Sequence, residues 1–128
     1  MRVLLATSIF IAHESGRTLG SLPPDADTAV SVMTVAELRI GVLRADDPIV
    51  RARRLTSLEV ARHDHAALPI DQDVADRFAD LAAAVRGTGR NPRVIDTLIA
   101  ATALVHGAAV ATQDDDFDHL PGVEVVKL

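Results

Sequence analysis

The chain has 128 residues, a length that suits one compact unit with a sizeable core, and we expect a single domain over residues 1–128. Acidic residues outnumber lysine and arginine by 18 to 13, which gives a formal net charge of −5 and argues against a basic nucleic-acid coat protein. There is no cysteine, so disulfides and thiolate metal sites are excluded, and three phenylalanines without tryptophan or tyrosine offer almost no surface for base stacking.

The first half of the chain alternates apolar strands with helices. Residues 2–6 form an uninterrupted apolar run that predicts a buried parallel strand, and glycines and prolines mark Ser15–Asp27 as mostly loop. The spacing of apolar residues predicts the other elements: a helix over Thr7–His13, a strand over Thr28–Met33, and helices over Thr34–Arg44 and Ile49–His63.

The second half continues the alternation. We predict a strand over Ala67–Ile70, helices over Asp71–Arg86 and Arg93–His106 separated by a turn, a strand over Ala108–Thr112, an acidic loop over Gln113–His119 and a last strand over Val123–Val126. This order predicts an α/β fold: a three-layer sandwich whose central, mostly parallel sheet of about four to five strands carries helices on both faces. Ligands of such sheets bind at the carboxyl ends of the strands, where Ala6 and Asp114 fall.

The amino terminus has some features of a signal peptide. However, Thr7 and Ser8 interrupt the apolar run, and no convincing cleavage site follows. No apolar stretch is long enough to span a membrane, so we expect a cytoplasmic protein without a membrane partner.

Two acidic residues fall in predicted helices. Glu37 follows Thr34 at the spacing of a capping box, and taken alone this structural explanation is favoured. Asp96 lies near the start of a helix that Asn91 could cap, with Pro92 at its first position. That helix is apolar on all sides, however, which indicates burial, and a buried carboxylate needs a cation, a cluster of donors or a raised pKa. For Asp96 we therefore favour a functional site.

Three further acids, Asp114, Asp115 and Asp116, follow a predicted strand. They suit a solvated loop, but in an extended segment Asp114 and Asp116 would point to one side and Asp115 to the other. Together with Glu37 and Asp96 they form a set of hard oxygen ligands of the kind that Mg²⁺ or Mn²⁺ prefers. A metal held in this way can activate water for phosphodiester hydrolysis.

The combination of motifs resembles the PIN-domain ribonucleases, and specifically the VapC-type toxins of bacterial toxin–antitoxin pairs. The resemblance covers the whole chain and rests on VLLATSIFIA, TVAELRIGV, VIDTLIAATAL, ATQDDDF and LPGVEVV, in that order. It implies a PIN-like fold and an Mg²⁺- or Mn²⁺-dependent endoribonuclease that cleaves structured RNA such as tRNA or rRNA. The catalytic and metal-binding positions that it implies are Ala6, Glu37, Asp96, Asp114 and Asp116, with Thr7, Ser8 and Thr112 orienting carboxylates or phosphate.

The chain departs from the family at Ala6, where the family has the first catalytic aspartate. Either the residue was substituted to disarm a toxic nuclease, or the chain is a natural, degenerate homologue. The remaining motifs are intact, which favours substitution. In both cases we expect the chain to bind metal poorly and to be inactive or nearly so.

The resemblance also implies partners. A VapB-like antitoxin would cover the site with a segment laid across a groove between helices, for which Leu38, Val42 and Leu55 are candidates if they are not core residues. A homodimer or a toxin–antitoxin hetero-oligomer is expected. The alternative is a non-catalytic PIN-like scaffold that binds RNA or protein. Receiver-like and dehalogenase-like folds need acids after the first strand that this chain lacks.

Overall fold

A computed structural model describes all residues, 1–128, and contains five strands and five helices. Their bounds are β1 Arg2–Leu5, α1 Thr7–Glu14, β2 Asp27–Ser31, α2 Val32–Arg44, α3 Pro48–Asp64, β3 Ala66–Leu68, α4 Gln72–Gly87, α5 Val94–Val105, β4 Ala109–Thr112 and β5 Val125–Lys127. Every predicted strand and helix is present, and most ends differ from the prediction by one or two residues. The predicted α/β class is confirmed.

The five strands form one sheet in the order β3-β2-β1-β4-β5, and all four pairings are parallel. The chain moves from β1 outward to β2 and β3, and then crosses to the other side of β1 for β4 and β5. The direction of winding therefore reverses between β1 and β4. In parallel sheets such a reversal opens a crevice at the carboxyl ends of the two strands, which is where ligands bind.

Side chains of the central strand alternate between two apolar cores. Val3 and Leu5 belong to a core shared with α1, α2 and α3, whereas Leu4 and Ala6 belong to a core shared with α4 and α5. Because successive strand residues point to opposite faces, an apolar run without alternation requires helices on both sides of the sheet. This produces the three layers that the sequence predicts.

Helix α2 begins two residues earlier than predicted, and this corrects the interpretation of Glu37. The hydroxyl of Ser31 accepts a hydrogen bond from the backbone N–H of Met33 at 3.0 Å, so Ser31 caps the helix. Thr34, the predicted cap, is fully buried inside the helix. No capping box forms, and the Glu37 carboxylate is free to make another contact.

Helix α5 also differs at its start from the prediction. Neither Asn91 nor Pro92 begins the helix: Arg93 is its N-cap residue, and no side chain caps it. Its end is a Schellman motif, in which Gly107 has a φ of 62° and Ala108 donates its N–H to the carbonyl of Ala103 at 2.8 Å. The glycine permits the left-handed backbone that leads directly into β4.

The candidate groove residues divide into two groups. Leu38 and Val42 are buried in the core between the sheet and α1–α3, although Leu38 also lines a surface groove next to Glu37 and Arg54, whereas Leu55 is 45% exposed. In addition, none of the helices combines the length and apolar character needed to cross a bilayer.

We expect Leu4→Ala to lower the free energy of unfolding by about 2–5 kcal/mol, because Leu4 is fully buried in the central strand and its truncation leaves a cavity. Urea denaturation followed by circular dichroism measures the change. Leu43→Ala is the matched control: this side chain is 59% exposed, and its loss should change the free energy by less than about 0.5 kcal/mol. Equal losses in the two variants would contradict the layered core.

Candidate functional site

A cleft of about 170 Å³ lies at the carboxyl ends of β1 and β4, at the point where the winding reverses. It brings together seven of the eight residues that the sequence singles out, and the eighth, Thr112, is hydrogen-bonded to two of them. The seven are Ala6, Thr7, Ser8, Glu37, Asp96, Asp114 and Asp116. Ile11, Arg93, Ile99 and Phe117 complete the lining and were not singled out.

One hydroxyl fixes the position of Glu37. Thr7, the first residue of α1, donates its hydroxyl to Glu37 Oε1 at 2.6 Å, and the Thr7 oxygen also lies 3.3 Å from the hydroxyl of the buried Thr34. The contact joins residues 30 positions apart and connects the first helix to the second. Glu37 is therefore held towards the cleft by α1 instead of folding back onto its own helix.

A second chain of hydroxyls fixes Asp114. Thr112 donates to Asp114 Oδ1 at 3.1 Å and accepts the N–H of Asp114 at 3.2 Å. Ser8 lies 3.0 Å from the Thr112 hydroxyl and accepts the N–H of Gln113 at 3.1 Å. Because Thr112 has one hydroxyl proton and gives it to Asp114, Ser8 is the donor to Thr112. This relay joins the end of β4 to the start of α1.

The acidic loop separates its carboxylates, but by a turn instead of an extended segment. Asp116 donates its backbone N–H to Asp114 Oδ1 at 3.2 Å, which is an Asx-type turn that keeps both residues at the cleft. Asp115 instead forms an ion pair with the ammonium of Lys127, and Asp118 lies 3.1 Å from the same ammonium. Asp115 and Asp118 do not line the cleft.

Arg93 is the one cationic residue that lines the cleft. Its Nε lies 3.1 Å from Asp96 Oδ2, and its Nη1 lies 2.7 Å from Asp116 Oδ1, so one guanidinium bridges two carboxylates of different elements. The i, i+3 spacing from Arg93 to Asp96 was a usable sequence signal for the first contact. The second contact joins residues 23 positions apart and has no sequence signal.

Asp96 has the most perturbed carboxyl group in the cleft. Its side chain is only 18% exposed, and burial raises its pKa to about 6. Arg93 opposes that rise, whereas the negative charges of Asp116, Glu37 and Asp114 add to it. A carboxylate that is hard to ionise next to other carboxylates indicates a site that attracts cations.

Position 6 sits among these acids without contributing an oxygen. Ala6 is 2% exposed, lines the cleft and precedes Thr7, and its backbone N–H bonds the carbonyl of Ala111 at 2.9 Å. The backbone at this position is thus anchored between β1 and β4.

The donor chemistry of the cleft suits a divalent metal ion, but the placement of the donors does not. Carboxylate oxygens are the ligands that Mg²⁺ and Mn²⁺ take. In this chain, no three acidic or histidine side chains lie close enough together to hold a metal ion, and a guanidinium occupies two of the carboxylates. The expected metal ligands are therefore gathered in one cleft without forming a complete metal site.

Comparison with known proteins identifies the family. The sequence pattern described as the PIN domain matches residues 3–123. This chain belongs to the PIN-domain family. The match includes all the residues that line the cleft.

Several relatives of this PIN-domain chain are named VapC ribonucleases. It is 45% identical to "Ribonuclease VapC5" of Mycobacterium tuberculosis over 98% of this chain and 92% of the relative. It is 39% identical to "Ribonuclease VapC4" of the same organism, over 99% of this chain and 97% of the relative. Its fold matches a crystal structure of VapBC-5 from M. tuberculosis, a member of the VapBC family of toxin–antitoxin systems, with a TM-score of 0.85, 41% identity and coverage of 99% and 98%. The resemblance to VapC-type PIN domains is confirmed.

We expect Asp96→Asn to stabilise the PIN domain above pH 6. A carboxyl whose pKa rises from 3.8 to about 6 on folding binds more protons in the folded state, so its ionisation lowers stability as the pH rises through that interval. The cost is on the order of 2–3 kcal/mol above pH 6 and vanishes below pH 4. Urea denaturation of both proteins at pH 4, 5, 6 and 8 measures the difference.

Asp76→Asn is the control for this measurement, because Asp76 is an exposed residue of α4 that does not line the cleft. Its effect should be small at every pH. A stabilisation by Asp96→Asn that is the same at pH 4 and pH 8 would show that the buried charge is not its cause.

Proposed function

We propose that this chain is the toxin of a type II toxin–antitoxin pair, built as a metal-dependent endoribonuclease for structured RNA such as tRNA or rRNA. We further propose that Ala6 leaves it inactive or nearly so. The cleft itself is the main support for this proposal. Four acids line it together with Ala6, the position at which the PIN-domain family has a further aspartate; they are Glu37, Asp96, Asp114 and Asp116. The names of the relatives, VapC5 and VapC4 ribonucleases, support the reaction class.

Phosphodiester hydrolysis at this cleft depends on a cation, because an RNA phosphate is repelled by four carboxylates that face a single arginine. With a carboxylate at position 6, Mg²⁺ or Mn²⁺ would supply charge neutralisation and an activated water. The chain as it stands lacks that ligand, and its carboxylates do not form a metal site. We therefore expect no appreciable cleavage by this chain.

The hydroxyl contacts give the rest of the cleft its proposed role. Thr7 holds Glu37, and Ser8 and Thr112 hold Asp114, so these carboxylates are oriented before any cation binds. Preorganised ligands lower the cost of binding, since their hydrogen-bond partners fix the oxygen positions. The frame for a metal is thus retained although one ligand is missing.

The proposed path for the RNA backbone leads from the cleft towards α3. A second groove, of about 300 Å³, shares Ile11 and Glu37 with the cleft and contains Arg54, which donates to the carbonyl of Gly41 at 2.8 Å. Arg53 lines the neighbouring groove between α1 and α3. Arginines along this route would neutralise phosphates that lie outside the acidic cleft.

The proposed partner is a VapB-like antitoxin, and the crystal structure of VapBC-5 supports it. The chain exposes large apolar side chains on the two helices α2 and α3; they are Ile40, Leu43, Ile49 and Leu55, each 45–65% exposed. Exposed apolar side chains of this density favour a protein partner. We propose that the antitoxin covers this region, that the toxin forms a homodimer or a toxin–antitoxin hetero-oligomer, and that it acts in the cytoplasm, where tRNA and ribosomes are.

A non-catalytic scaffold is the second candidate. Ala6 and the Arg93 bridge favour it, because together they leave the cleft without a complete metal site. Under this proposal the chain binds RNA or protein and no substitution at position 6 alone produces cleavage.

We expect Ala6→Asp to produce RNA cleavage that depends on Mg²⁺ or Mn²⁺ and is abolished by EDTA. The rate should rise at least about 100-fold, because even the outer-shell partners of a metal are worth 10- to 100-fold and this change supplies a ligand. The assay compares the unchanged chain and the variant on total cellular RNA that includes intact tRNA and ribosomes.

Ala6→Asn is the matched control, since it adds a side chain of the same size without the charge and should not cleave. Circular dichroism of the three proteins checks that position 6, which is 2% exposed, accepts the larger residue. A folded Ala6→Asp variant that cleaves none of the RNA would contradict the nuclease proposal and favour the scaffold.

A further inference from the structure

The Arg93 side chain does not cap the helix that it precedes. Its backbone carbonyl accepts the N–H of Thr97 at 2.9 Å and the Thr97 hydroxyl at 2.6 Å, so the main chain alone makes the contacts of the N-cap position. The guanidinium contacts only Asp96 and Asp116 and makes no capping bond. At 62% exposure the side chain can leave the cleft without opening the core.

Arg93 contacts one oxygen of each of two carboxylates that the family pattern assigns to the metal. The guanidinium donates a hydrogen bond to Asp116 Oδ1 at 2.7 Å and forms an ion pair with Asp96 Oδ2 at 3.1 Å. A charge-assisted hydrogen bond is strong, and a dication next to the guanidinium would be repelled by it. The guanidinium and a metal ion would therefore compete for these two carboxylates.

We propose that Arg93 is a built-in counterion that competes with divalent cations for Asp96 and Asp116. Without a metal, its positive charge compensates the negative charges of the two carboxylates. It also raises the metal concentration at which a metal ion replaces the guanidinium. The inference rests on the proposed function only for the expectation that a divalent cation visits this cleft. Arg93 is a positioning residue in this scheme, because it acts through the two carboxylates.

The experiment measures Mn²⁺ binding without RNA, from the electron paramagnetic resonance signal of free Mn²⁺. It uses the Ala6→Asp chain, which supplies the missing ligand, and adds Arg93→Gln to it. Glutamine keeps length and polarity but removes the charge and the bidentate fork. We expect the Mn²⁺ dissociation constant to fall about fivefold, the scale of an ion pair on a partly exposed surface.

Ala6→Asp with Arg90→Gln is the matched control. Arg90 is an exposed residue three positions earlier, so the substitution changes the net charge equally without touching the cleft. It should change the dissociation constant by less than twofold in a buffer of about 0.15 M ionic strength, which screens distant charges.

Three results would overturn the proposal. If Arg90→Gln lowered the Mn²⁺ dissociation constant as much as Arg93→Gln, Arg93 would act only through the net charge of the chain. Weaker Mn²⁺ binding after Arg93→Gln would mean that Arg93 holds the carboxylates ready for the metal. Absence of binding by the folded double variant would mean that Arg93 is not what excludes the ion. Failure of Ala6→Asp to cleave RNA is a separate outcome, because no RNA enters this measurement.

Discussion

Repulsion among four carboxylates is the constraint on which the arrangement of the cleft depends. Parallel strands bring their carboxyl ends to one edge, and the reversal of winding between β1 and β4 opens that edge, so acids from α2, α5 and the loop after β4 converge there. Their charges must be compensated, and the chain does this in two ways. Hydroxyl donors hold Glu37 and Asp114, and one guanidinium bridges Asp96 and Asp116. Burial is the main cause of the raised pKa of Asp96, and the neighbouring negative charges add to it.

The packing of the sheet explains why the cleft is rigid enough to sustain such a cluster. Leu4 is fully buried on one face of β1 and Val3 on the other, so the strand that ends at the cleft is held from both sides. The backbone of Ala6 is tied to β4 by its hydrogen bond to Ala111. Interiors packed in this way yield little, so the strand ends that frame the cleft keep their positions. Hydrogen bonds and one counterion stabilise the acids that converge there.

The sequence predicted the elements, the layers and the membership of the cleft, because these follow from local periodicity and from the position of residues at strand ends. It failed where a single side chain decided between local alternatives. Ser31 caps the start of α2, so the Glu37 carboxylate accepts a hydrogen bond from Thr7 and does not cap its own helix. The contact between Arg93 and Asp116 depends on how the start of α5 packs against the loop after β4, and no local sequence pattern predicts this packing. Long-range polar contacts of this kind require the tertiary structure.

The alanine at position 6 and the arginine at position 93 both limit the repulsion among the carboxylates, and both disfavour the metal ion of the proposed function. A carboxylate at position 6 would add a fifth negative charge to a cleft in which Asp96 already has a pKa of about 6, and Arg93 alone could not compensate it. Under the proposed function, such a cleft would be strained without a metal, which is the usual cost of a site that binds cations. Ala6 avoids that additional charge. The hydroxyl frame of Thr7, Ser8 and Thr112 is present in either case, because its partners, Glu37 and Asp114, are carboxylates that need donors.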